Sequence, residues 1–118
     1  MKDLSVIKGI DAEKALTYFD GDQGIFDEIL QVAVDDAEKK LSRLQKAFDE
    51  KDISNYQIEV HSIKSSAAIF GIESLSSHAK KHETAAKDKN FDFIASDYNN
   101  LVEEFKNFIS QATIYLGK

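Results

Sequence analysis

An all-α fold, an antiparallel four-helix bundle with a short additional N-terminal helix, is predicted by three features of the sequence. The 118 residues contain no proline and only five glycines, so little interrupts helical backbone. Ala, Leu, Ile, Lys, Glu and Asp dominate the composition, as helices favour. Apolar residues recur at spacings of three and four over four long stretches joined by short connections, the pattern of amphipathic helices that close on one core.

The elements follow in order. Asp11 is an N-cap candidate for a short helix, with Ile10 before it and Ala15, Leu16 and Phe19 on its apolar edge, and Gly21 and Gly24 mark the turn after it. Over residues 25–48, Phe26, Ile29, Ala33, Ala37, Leu41, Leu44 and Phe48 form one stripe on a helix of roughly 35 Å. Ser54-Asn55-Tyr56-Gln57 has the form of a capping box for the third helix, with Ile53 and Ile58 placed for a hydrophobic staple. Gly71 suits a left-handed C-terminal cap with Ile72 folding back beyond it. A fourth helix over residues 73–87 puts Leu75, Ala79, His82 and Ala86 on one side, the histidine being an unexpected member of a core stripe. Asp88-Lys89-Asn90 connects to the last helix, begun near Asp92, where Ile94, Tyr98, Leu101, Phe105, Phe108, Ala112 and Tyr115 alternate at four and three. Residues 1–118 read as a single domain, without repeat, low-complexity segment or linker, and as a monomer, since each helix spends its apolar face inside the bundle.

Composition also excludes classes of function. With no cysteine there is no disulfide framework, thiolate metal site or cysteine nucleophile. A net charge of −6 disfavours nucleic acid, whose binding depends on neutralising phosphates. The first residues lack the pattern of a secretory signal, and no apolar run near the motif approaches a membrane span, so a cytoplasmic protein that neither binds nucleic acid nor enters a membrane is expected. No glycine-rich phosphate loop is present.

The chemistry concentrates in His61-Ser62-Ile63-Lys64-Ser65-Ser66-Ala67-Ala68-Ile69-Phe70-Gly71. On a helix, Gln57, Lys64, Ser65 and Ala68 lie within about 60° of His61, whereas Tyr56, Val60, Ile63, Ala67 and Phe70 form the opposite stripe. The imidazole therefore faces outward among small neighbours. A neutral imidazole keeps a lone pair on one ring nitrogen for nucleophilic attack.

These residues resemble the histidine-containing phosphotransfer (HPt) domains of phosphorelays. The resemblance covers roughly residues 58–83: a phosphoacceptor histidine (His61), lysine three on (Lys64), small residues (Ser65, Ser66, Ala67), glycine ten on (Gly71), then a helix anchored by Leu75 and running through Ala79 to Glu83. Phe19-Asp20-Gly21-Asp22 is similar to the family's entry to its second helix. Two positions depart from the pattern: Ser65 stands where the family usually has glycine, and His82 where an aliphatic residue is commoner. The resemblance implies a histidine phosphocarrier that receives a phosphoryl group on His61 from a receiver-domain aspartate and passes it to another receiver. Lys64 would offset phosphoryl charge, and Gln57, Ile58, Ser65, Ala68 and Ile69 would form the docking surface, with Gly71 and Leu75 structural. It also implies response-regulator receivers and a hybrid sensor kinase as partners, no cofactor in this chain, Mg2+ in the receiver and no autokinase activity.

Two other readings stay open. A helical adaptor or inhibitor could bind a receiver or kinase through the same face without being phosphorylated. His78 and His82, four apart, could hold a metal with Glu83 or an acid from a neighbouring helix, but a histidine pair alone is weak ground and no metal ligand is assigned from the sequence.

Overall fold

The computed structural model describes residues 2–117. After a 3-10 turn at Leu4–Val6 come α1 (Ala12–Tyr18), α2 (Gln23–Asp49), α3 (Ile53–Ile69), α4 (Glu73–Lys87) and α5 (Phe91–Tyr115). Among the described residues there is no strand, and the four longer helices form the bundle, as the hydrophobic spacing predicts.

Helix boundaries follow side-chain caps. The carboxylates of Asp11, Asp22 and Asp52 and the amide oxygen of Asn90 each accept from the backbone N–H three residues on, opening α1, α2, α3 and α5. Two expectations are corrected. The first long helix, α2, starts at Gln23, with Gly24 inside its first turn, because Asp22 caps it. For α3 the cap is Asp52, whose Oδ1 accepts from Asn55 N–H at 3.1 Å, so Ser54 lies within the helix and the capping box does not form. The proposed staple goes with it: Ile53 is the first helical residue and half-buried, while Ile58 is 61% exposed. Replacing Asp52 by Ala is expected to cost about 1 kcal/mol, and Ser54→Ala, at an exposed helical position, to change stability by less than about 0.5 kcal/mol. Urea unfolding of the two variants checks this assignment.

The core stripes of α4 and α5 are those read from the sequence, with Leu75, Ala79, His82 and Ala86 on α4 and all seven predicted residues of α5 buried. On α2 the stripe is rotated: Leu30 is fully buried and Ile29 is 44% exposed. Phe26, Leu30, Ala37, Leu44 and Ala47 form its inner face, while Ala33, Leu41 and Phe48 pack partly buried along its flank. Near one end of the bundle Phe48 stacks on Tyr98 with ring centroids 3.9 Å apart, and near the other Phe26 meets Phe19, Phe70 and Tyr115 edge to face.

The α3–α4 reversal is a Schellman turn. Gly71, at φ +76°, lets its N–H bond to Ala68 O at 3.2 Å and that of Ile72 to Ala67 O at 2.8 Å. The segment before α1 fastens onto it: Asp11 N–H donates to Gly71 O at 2.8 Å beside the bridge between Ile10 and Ile72. The turn thus anchors both helices that carry the chemistry.

Candidate functional site

The histidine helix presents its faces as the sequence predicts. Tyr56, Val60, Ile63, Ala67 and Phe70 are buried, and the His61 side chain is 58% exposed. Ile58 and Ala68 are exposed on the same side, and Gln57, Lys64, Ser65 and Ile69 are half-buried around it. Leu75, 1% exposed, seats α4 against α3, and the Ser76 hydroxyl donates to the Lys64 carbonyl oxygen at 3.1 Å. This locks the two helices in register beside the histidine.

Packing adds a group the sequence reading did not assign to the site. Glu83 of α4 reaches under the exposed face with only 7% of its side chain exposed. Its Oε2 accepts a hydrogen bond from His61 Nδ1–H, and its Oε1 accepts one from Lys64 Nζ at 2.5 Å. Lys64 holds the Glu83 carboxyl below its ordinary pKa, against the opposing effect of burial, and His61 adds to the lowering. Glu83 is therefore ionised near neutral pH. A carboxylate can only accept, so it fixes the proton of a neutral imidazole on Nδ1 and leaves the Nε2 lone pair directed outward. The signal available in the sequence was a glutamate 22 residues after the histidine, one turn past Ala79 on the facing helix, at the end of the family-like segment.

The arrangement suits nucleophilic attack at the surface rather than in a pocket. A buried carboxylate orients the ring and offsets positive charge that develops on it, while the ammonium keeps the buried acid from standing as an uncompensated negative charge. In comparison with protein families, the Hpt domain model matches residues 28–112, well over half of the chain and all of the site just described. The chain belongs to the HPt domain family. It accordingly has a phosphotransfer role in phosphorelays, the role of modules that work with receiver domains and kinases. Comparison with curated proteins and with solved structures gives no match. No described helix of this HPt domain is long and apolar enough to cross a membrane.

His82, where an HPt domain more often has an aliphatic residue, is fully buried yet satisfied. Its Nδ1 accepts from the Tyr56 hydroxyl at 2.8 Å and its Nε2–H donates to Asp97 Oδ2 at 2.9 Å. Burial lowers its pKa, with Asp97 opposing, so the core holds a neutral imidazole. His78, partly exposed, donates from Nδ1 to Glu104 Oε1 at 2.7 Å and from Nε2 to Asp97. These two carboxylates outweigh the opposing effect of its burial and raise its pKa. Neither ring contacts the His61 site in these hydrogen bonds, and Glu83, suggested from the sequence as their metal partner, is committed to His61 and Lys64.

Proposed function

We propose that residues 1–118 act as one domain, a histidine phosphocarrier that takes a phosphoryl group from the phospho-aspartate of one receiver and gives it to the aspartate of another. The observation that carries this reading is the exposed imidazole whose Nδ1–H is held by buried Glu83. In the forward step the Nε2 lone pair of His61 bonds to phosphorus as the bond from phosphorus to the aspartyl oxygen breaks. The electron pair stays on the receiver carboxylate, and the ring, now an N-phosphorylated imidazolium, keeps its Nδ1 proton against Glu83. Transfer onward reverses these changes with a second aspartate.

Lys64 holds Glu83 at rest, and its ammonium lies one turn from His61, where it offsets charge on the transferring oxygens. Gln57, Ile58, Ser65, Ala68 and Ile69 form the docking surface on receivers, including that of a hybrid sensor kinase. The transfer draws on Mg2+ bound by the receiver and on no cofactor of this chain, which has no autokinase activity and works as a cytoplasmic monomer.

Incubation with a panel of phosphorylated receivers tests the reading. The expected result is acid-labile, base-stable label on this chain from at least one receiver. Binding without label would replace the carrier by an adaptor. Ser65→Phe sets a ring beside His61 where a donor must approach, and is expected to slow transfer about tenfold, about 1.4 kcal/mol in the barrier, at unchanged stability. An unchanged single-turnover rate would remove Ser65 from the surface.

A further inference from the structure

The phosphotransfer reading leaves one cluster of side chains unused. His78 and His82 stand one helical turn apart on α4, and α5 brings Asp97 against both. Their ligand atoms, one ring nitrogen from each histidine and one Asp97 oxygen, lie within 4.8 Å of one another. Both rings present Nε2 to the same carboxylate oxygen, and each is held at Nδ1 from behind, His78 by Glu104 at 2.7 Å and His82 by the Tyr56 hydroxyl at 2.8 Å. An imidazole that binds a metal through one nitrogen donates its other N–H to an acceptor, as His78 Nδ1 already does to Glu104, and His82 Nδ1 reaches the same arrangement with the Tyr56 oxygen by a change of tautomer.

We propose that His78, His82 and Asp97 form a site for a divalent transition cation of the zinc class, bound through the two Nε2 atoms and the Asp97 carboxylate. Two imidazoles and one carboxylate suit Zn2+ and its neighbours Co2+, Ni2+ and Cu2+, whereas Mg2+ and Ca2+ seek oxygen-rich shells. Donors around a tetrahedral zinc at about 2.0–2.1 Å stand roughly 3.3 Å apart, so small rotations of side chains already in contact bring these three to ligand distances. The cation takes the place of the hydrogens that the two Nε2 atoms share with Asp97: the Nε2 proton of His78 is released to solvent, and that of His82 is relocated within the ring. His78 keeps its Nδ1–H on Glu104, and the single proton of neutral His82 shifts from Nε2 to Nδ1, where it donates to the Tyr56 oxygen as that hydroxyl hydrogen turns away. His78 and Asp97 side chains, 18% and 23% exposed, give the ion a way in, and an open fourth position remains for water. Tyr56 belongs to α3, so the site braces the His61 helix from behind.

Calorimetric titration of the untagged full chain with ZnCl2, and Co2+ absorption in parallel, test the proposal. One equivalent of Zn2+ is expected to bind and raise Tm, with no response to Mg2+ or Ca2+. His78→Gln and Asp97→Asn, shown folded by circular dichroism, should each weaken binding more than about a hundredfold, while His61→Gln leaves it intact. On the native chain, Zn2+ should move the imidazole NMR signals of His78 and His82 and leave those of His61 unmoved, a readout that holds even if a variant fails to fold. Absence of stoichiometric Zn2+ and Co2+ binding overturns the proposal. So does binding that survives both substitutions, or that is lost with His61→Gln alone.

Discussion

His61→Gln is expected to abolish phosphoryl acceptance while the bundle remains folded. Glutamine offers an amide without a nucleophilic lone pair, so no N–P bond forms, and the rate should fall by at least about a thousandfold, about 4 kcal/mol in the barrier. The side chain is more than half exposed, so the cost to folding should be within about 1 kcal/mol, the worth of its bond to Glu83. Label on the variant at the native rate would place the acceptor elsewhere. Glu83→Gln separates orientation from nucleophilicity. It keeps the shape but removes the charge that fixes the Nδ1–H tautomer, and transfer should slow about ten- to a hundredfold without being lost. The 15N shifts of the His61 ring should move toward a tautomer mixture in the same variant. Unchanged shifts together with a native rate would deny Glu83 its positioning role.

Gly71→Ala is expected to have the largest effect on stability of any glycine-to-alanine substitution in this chain. The residue sits at φ +76°, and an added Cβ would lie 2.6 Å from the Asp11 carbonyl oxygen and 3.1 Å from the Ala15 Cβ. The left-handed conformation alone costs a non-glycine residue about 1 kcal/mol. The backbone contact adds to it, because Asp11 N–H is bonded to Gly71 O and cannot retreat without breaking that bond. A total of about 2–4 kcal/mol, with Tm lowered by about 10 °C, is expected. Gly21→Ala isolates the conformational part, since φ is +78° there and nothing lies within 4 Å. It should cost about 1 kcal/mol. Equal losses in the two variants by urea unfolding would show that the α1 segment does not press on the turn.

The outward face of His61 was legible because its helix is amphipathic within one element: five buried residues opposite it fix the rotation. The α5 stripe was legible for the same reason. The start of α3 was misread because Asp52 and Ser54 are both competent caps, and local spacing does not rank them. On α2, Ile29 and Leu30 are adjacent and both apolar, so the inward face depends on which helices pack beside it.

What the sequence by itself determined is everything that rests on spacing along one helix: the all-α class, the cap at Gly71, and His61 displayed with Lys64 among small residues. The tertiary structure alone decided which acid meets which base. Glu83 lies 22 positions from His61, and Asp97 lies 15 from His82, separations bridged only when α3, α4 and α5 pack side by side. Twenty-one acidic residues are available in the chain, and periodicity places each on a face but does not choose its partner. Hydrogen bonds act over about 3 Å, so that choice depends on helix rotation and register, which the packing of Leu75, Ala79 and their neighbours sets.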